Sequence, residues 1–455
     1  MKDIYLDISF SSAEKVGIEH GFTEAELAKL SKTIEENHHI LLNERKNKKY
    51  GFYDLYKDIH TIKKVEHTAE KFLSKGYKNF VVLGIGGSAL GIIALNTALN
   101  PPFYNLLPQN IRKGHPKLFV MDNIDPDTFS QMLSICPIEE TLFNAISKSG
   151  ETAETMCQLM IVLDMIEKTV GKDKVKEHLV LTTSPKIENA PKSLFHPIVE
   201  KYELTQFDIP LNVGGRFSVF SPVGLFPSAI LGFNIQEMLE GCEKMDELCL
   251  NPNLELNPAY QFSAIHYLLD KNKGKKVSVM MPYSDKLKDI ADWYRQLWAE
   301  SLGKKYDLNG NIVYSGQTPI KALGVTDQHS QIQLYREGPN DKIINIIKVN
   351  NFDNILKIPN ILSEISELDY LRDKTMNALL AAELIGTRDA LVLSQRPVIT
   401  IEIDEVREYT VAQLMYMLEV ATAMAGKLYG VNAFDQPGVE EGKRIARELM
   451  RKIQV

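Results

Sequence analysis

Two segments of this 455-residue chain each pass from an apolar run of strand length, through small and hydroxyl-bearing residues, into a helical stretch. The first is Val81-Val82-Leu83-Gly84-Ile85-Gly86-Gly87-Ser88-Ala89-Leu90-Gly91, and the second is Phe143-Asn144-Ala145-Ile146-Ser147-Lys148-Ser149-Gly150-Glu151-Thr152. Short apolar strands that feed helices require a parallel sheet covered on both faces. A helix N-terminus offers unpaired N–H groups and partial positive charge, so two such ends in one domain suit a tight grip on one phosphate ester.

The alternation continues along the chain. Strands are expected at residues 80–83, 118–121, 142–146 and 179–183, and a second set at 277–281, 343–349 and 398–403. Helices are expected around 287–301, 361–386, 411–428 and 439–452. Residues before about 75 read as helices, with a looser link at 50–55. A chain this long exceeds one ordinary core, so two α/β halves are the expectation, joined between Ser221 and Asn257. The reading divides the chain into a helical segment 1–75, a first α/β domain 76–235 with the phosphate loops, a second 236–425, and a helical tail 426–455.

Composition excludes several classes. Hydrophobic content of 44% and charged content of 24% are those of a soluble globular protein. A net charge of −7 argues against a general nucleic-acid binder, so an anionic ligand must be held by local groups. Cys136, Cys157, Cys242 and Cys249 show no metal-ligand or CxxC spacing and read as buried thiols of a reducing compartment. Charges in Met1-Lys2-Asp3-Ile4-Tyr5-Leu6-Asp7 stand where a signal peptide needs an apolar core, so a cytoplasmic location is expected. Residues 79–111 and 217–236 carry no charge, but their glycines, prolines and polar residues favour buried α/β core over membrane spans.

The motifs differ in weight. Gly84-x-Gly86-x-x-Ala89 meets a relaxed dinucleotide fingerprint, yet residues 99–109 lack the acid expected about 20 positions on. No Gly-Lys-Ser/Thr follows, which excludes a P-loop. The glycines either hold phosphate or merely let helix and strand approach. Ser147, Ser149 and Thr152 surround a helix opening beside Lys148; they either cap the helix, with Glu151 or Glu154 in a capping box, or bind a phosphate dianion without a metal. Arg216, after Gly214-Gly215, is a surface arginine or a fixed cation for an oxyanion. Gln296 and Glu300 share a helix face ended by Gly303. Glu300 is either one of many solvated helix glutamates or a base, for which the neighbouring Trp293 and Trp298 make a less solvated pocket possible. His329, in a polar segment, and Lys443, on a helix that Asp435 and Pro437 would start, are unremarked alone.

Taken in order, six segments resemble the phosphoglucose isomerase family. They are Gly84-Ile85-Gly86-Gly87-Ser88, Ser147-Lys148-Ser149-Gly150-Glu151-Thr152, Gly214-Gly215-Arg216-Phe217-Ser218, Glu300-Ser301-x-Gly303-Lys304, Gly324-Val325-Thr326-Asp327-Gln328-His329 and Phe434-Asp435-Gln436-Pro437-Gly438-Val439-Glu440-x-Gly442-Lys443. They span residues from about 80 to 443. The resemblance implies two sugar-isomerase (SIS) domains, each a flavodoxin-like parallel α/β sandwich, with the site between them. It implies interconversion of glucose 6-phosphate and fructose 6-phosphate in glycolysis and gluconeogenesis through a cis-enediolate, with no metal or redox cofactor.

By the same likeness the loop of Gly86, Gly87 and Ser88, with Ser147, Lys148, Ser149 and Thr152, holds the phosphate, and Gln296 and Gln436 line the sugar. Glu300 is the implied base, Arg216 the enediolate cation, and His329 and Lys443 the ring-opening acid and base. A homodimer is implied, with His329 supplied by the neighbouring subunit, and neither nucleic acid nor membrane is a partner. Ser149-Gly150 departs from members with a threonine and a bulkier residue there. A phosphosugar-sensing SIS module without catalysis is the alternative; it leaves Glu300, Arg216, His329 and Lys443 unexplained and usually brings a DNA-binding segment not evident here. An aminosugar-forming enzyme would need an N-terminal cysteine nucleophile, and the first cysteine is Cys136.

Overall fold

The computed structural model describes residues 3–188 and 190–453, and the Met1 and Lys2 of the charged N-terminus lie outside them. Its twelve strands are β1 (Tyr5–Asp7), β2 (Asn79–Leu83), β3 (Lys117–Met121), β4 (Thr141–Ile146), β5 (Leu179–Thr183), β6 (Thr205–Asp208), β7 (Val277–Pro282), β8 (Lys304–Tyr306), β9 (Ile312–Ser315), β10 (Thr318–Lys321), β11 (Lys342–Val349) and β12 (Val398–Ile403). Two five-stranded sheets and a small β8-β9 ribbon result.

The first sheet runs β3-β2-β4-β5-β6, all parallel. Its central strands read as unbroken apolar runs because both faces are covered. Phe80 and Val82 face one core with the helices Ile59–Leu73, Leu90–Leu99 and Pro222–Ile230. Val81 and Leu83 face another with Pro126–Ile135 and Ala153–Val170. Counted within the sheet the order is 2-1-3-4-5, so the direction of winding reverses between β2 and β4. Such a reversal leaves a crevice at the carboxyl ends of the strands. The two glycine and hydroxyl loops are the segments that leave β2 and β4 there.

The second sheet, β1-β12-β11-β7-β10, repeats this order with one substitution. Its last place is filled by β1, antiparallel to β12 with Leu6 opposite Ile401. The N-terminal segment, expected as helical, therefore also supplies a strand, which three residues with no apolar run could not announce. Its helices Glu24–Lys46 and Ile59–Leu73 are present, the first opened by a Thr23/Glu26 capping box.

A single core joins the inner faces of both sheets, and Glu408–Tyr429 runs through it. This helix is apolar nearly all round, as a core helix must be. The helix expected at 361–386 is instead Met376–Leu393, capped by Thr375, whose side chain accepts from the Ala378 N–H at 3.0 Å. Ile361, Leu362 and Ile365 have helical spacing, but Leu362 and Asp373 adopt φ of 58°, which breaks a right-handed helix. Cys136, Cys242 and Cys249 are buried as expected; Cys157 is exposed, and all four are free thiols. No helix is long and apolar enough to cross a membrane among the described residues.

Candidate active site

The loop after β2 is shaped by what it touches. Gly86 has φ +57°, and a Cβ there would lie 2.8 Å from the Gln296 amide nitrogen. A Cβ on Gly87 would lie 2.2 Å from the carbonyl carbon of Gly215. Only glycine permits both approaches. They press this loop against the helix Lys288–Leu302, which carries Glu300, and against the turn Gly215–Phe217, which carries Arg216. Close packing is therefore a role that the structure shows for these glycines. The Ser88 hydroxyl has no partner among the described residues.

The loop after β4 turns hydroxyls inward. Ser147 is buried, and its Oγ accepts from the Gly150 N–H at 3.1 Å and lies 3.1 Å from Thr152 Oγ1. Thr152 holds the N-cap position of Ala153–Val170, yet its side chain makes no capping bond. The capping account is therefore not what the structure shows. The first-turn N–H groups are left without a side-chain cap, as an anion site requires. Ser149 is exposed, with its Oγ accepting from the Glu151 N–H at 3.2 Å. Gly150 has φ +69°, and a Cβ there would come within 2.9 Å of the Leu194 and Phe195 nitrogens. Lys148 points elsewhere: its ammonium donates to the carbonyls of Leu211 at 2.7 Å and Val213 at 2.8 Å. Burial lowers its pKa.

Arg216 is 2% exposed, and all five of its N–H donors have acceptors. Nε donates to Ser301 Oγ at 2.7 Å, Nη1 to Gln436 Oε1 at 2.6 Å and Glu300 Oε2 at 3.4 Å, and Nη2 to the carbonyls of Ala433 and Asp435. Burial pulls its pKa down while the Glu300 and Asp435 carboxylates oppose this, and the guanidinium stays a cation. The Glu300 carboxylate, about one third exposed, also accepts from the Gln296 amide at 3.3 Å. Gln296 Oε1 is buried without a hydrogen-bond partner among the described residues.

Several supporting residues escaped the sequence reading. The Lys304 ammonium donates to the carbonyl of Glu300 at 2.8 Å and to that of Asp435, and pairs with the Asp435 carboxylate at 3.0 Å. It ties the end of the Glu300 helix to the segment bearing Gln436. Lys304 stood within a quoted motif without a role, and Asp435 stood in another only as a helix cap. Asp435 is not the helix cap expected of it: Gln436 precedes the turn Pro437–Val439, and no side chain caps it. Tyr50 stacks on Phe434 with centroids 3.5 Å apart, and Phe52, Phe217 and Phe434 form an aromatic cluster behind Arg216. The expected loose link at 50–55 lies in the 3-10 turn Gly51–Lys57 that buttresses the site, and nothing in its local pattern signals that.

Two expected participants lie apart. His329 ends the turn Thr326–His329, is exposed, and has no hydrogen-bond partner among the described residues. Lys443 is on the exposed helix Glu440–Met450, where its ammonium pairs with Glu440 at 2.8 Å. Neither touches Arg216 or Glu300 within one chain. The Lys443 helix does reach the second loop, since Arg447 donates to the Glu151 carbonyl at 3.4 Å. Among the described residues no cluster of three or more His, Cys, Asp or Glu is placed to hold a metal ion.

The phosphoglucose isomerase family model matches residues 53–455. A glucose-6-phosphate isomerase from Carboxydothermus hydrogenoformans is 47% identical over 90% of this chain and 87% of its own. The crystal structure of a hypothetical protein from Thermus thermophilus superposes with a TM-score of 0.85 at 35% identity, covering 98% of this chain and 99% of that one. A Chlamydia trachomatis glucose-6-phosphate isomerase shares the fold, with a TM-score of 0.71 at 22% identity over 86% of this chain and 73% of that one.

Proposed function

The chain belongs to the phosphoglucose isomerase family and is an aldose–ketose isomerase of glucose 6-phosphate and fructose 6-phosphate, and we propose that the crevice between the β2 and β4 loops and Glu300 is where it works. The observation that carries this is a single carboxylate, Glu300, held between an amide and a buried guanidinium beside the glycine loop. Ser88, Ser147, Ser149 and Thr152, with the backbone N–H groups around Gly86 and Gly87, take the phosphate, and Gln296 and Gln436 take sugar hydroxyls. Phosphate held far from the reacting carbons supplies positioning.

Glu300 removes the proton from C2, and the electron pair moves to the carbonyl oxygen at C1 to form the enediolate. The same carboxyl returns the proton to C1 while the proton of the C2 hydroxyl passes to the C1 oxygen, leaving a carbonyl at C2 and a hydroxyl at C1, which is the ketose. Arg216 stabilises the charge on the enediolate oxygens. Its Nη1 contact with Glu300, at 3.4 Å, is the longest of its bonds and the one to exchange for a substrate oxygen. Ring opening needs an acid and a base at the ring oxygen and the anomeric hydroxyl. Lys443 and the partner subunit's His329 fill these roles in a homodimer.

The exposure of His329 supports that assembly, as do exposed apolar residues on the β8-β9 ribbon (Tyr306, Ile312, Tyr314) and at Ile355 and Leu356. Four free thiols suit a reducing cytoplasm. A coupled assay of fructose 6-phosphate formation tests the reading. E300Q is expected to lower kcat by about a thousandfold while a sugar-acid phosphate still raises its melting temperature. A kcat within tenfold of the parent would remove Glu300 as the base.

A further inference from the structure

Lys148 lies in the middle of the hydroxyl loop, where an ammonium would be expected to meet the phosphate. The structure directs it to the segment ahead of Arg216 instead. Its Nζ donates to Leu211 O at 2.7 Å and Val213 O at 2.8 Å, the carbonyls just ahead of Gly214-Gly215-Arg216. Its own carbonyl accepts from the Ser184 N–H at 3.0 Å and from Thr183 Oγ1 at 3.1 Å, which anchors the residue to the end of β5. The segment it holds is joined to β5 again, through the Ile209 N–H and Thr183 O at 2.7 Å. On its far side that segment is held by the Gly51 N–H, which donates to Asn212 O at 3.0 Å. Charge-assisted bonds to two carbonyls use two of the ammonium's three donors and set where the following turn lies. Arg216, on that turn, meets Glu300 only at 3.4 Å, so a small displacement of the turn would lengthen this contact.

We propose that Lys148 is a positioning residue for Arg216 and not a phosphate ligand: it couples the phosphate loop to the guanidinium that steadies the enediolate. This rests on the isomerase reading of the site. The consequence is kinetic. Removing the ammonium lets the turn at 214–216 shift and weakens transition-state stabilisation, while the hydroxyl and N–H groups that hold phosphate stay in place.

The test measures kcat, KM and the competitive inhibition constant of inorganic phosphate for the parent, K148M and K148R. For K148M the expectation is a kcat lower by about 10- to 100-fold, with KM and the phosphate constant within about threefold of the parent. K148R still donates to carbonyls, so its kcat should recover at least part of that loss, again with an unchanged phosphate constant. Should K148M fail to fold, as melting would show, K148R is read by the same division: a lowered kcat with an unchanged phosphate constant sustains the proposal. A phosphate constant raised about tenfold in either variant, with or without loss of kcat, makes Lys148 a direct ligand and overturns the proposal. An unchanged kcat in K148M, or in K148R where K148M does not fold, overturns it too. An inactive parent would instead refute the isomerase reading, and the proposal with it.

Discussion

Arg216 shows why single side chains decide this site. A guanidinium with five satisfied donors is rigid, and that rigidity fixes Glu300, Gln436 and the Ala433 and Asp435 carbonyls about one point. The contrasting residue is Glu419, on the core helix Glu408–Tyr429. It is fully buried, and neither carboxylate oxygen has a partner among the described residues. Burial raises its pKa well above the ordinary 4.5, so the folded chain keeps a proton that the unfolded chain releases. Where the native state binds more protons, stability falls as pH rises, here from about 4.5 up through the native pKa. E419Q removes that dependence. Urea unfolding should show the variant gaining on the parent by about 1.4 kcal/mol for each pH unit over this window. An advantage equal at pH 5 and pH 8 would mean that Glu419 is not held protonated.

At the scale of elements, the sequence showed most where burial on both faces left unbroken apolar runs. The strands β2, β4, β5, β7, β11 and β12 were legible for that reason. The edge strand β3 was read from its apolar run at 118–121, but β1, β6 and β10 were not, since three or four residues with exposed or polar positions carry no period. Spacing also misled at Ile361, Leu362 and Ile365, where it lies along an irregular segment whose apolar side chains are exposed. The site followed the same division. Its loops were visible because glycine and hydroxyl residues gather where strands end. The aromatic support from Tyr50 and Phe52 was hidden, because it depends on Phe434, more than 380 positions away in sequence. Lys148 was visible as a residue but not as a direction, since type and position do not say which way a long side chain points.

At the scale of the molecule, two sheets of the same order share one core, and the crevice lies where the first sheet's loops meet a helix leading from the second. One chain leaves His329 exposed and without a hydrogen-bond partner among the described residues. If a second copy supplies it, E300Q and an H329A variant, each inactive alone, should complement when refolded together. A random mixture places one intact site in each mixed dimer and yields about a quarter of the parent activity. No recovery would mean that His329 acts within its own chain or not at all. The central claim is that the hydroxyl loops and Glu300 grip opposite ends of one sugar phosphate. A crystal structure with a sugar-acid phosphate bound tests it most directly. The account predicts phosphate oxygens on Ser147, Ser149 and Thr152 and the Glu300 carboxylate about 3 Å from the atoms standing for C1 and C2; a ligand whose sugar end lies away from Glu300 would contradict it.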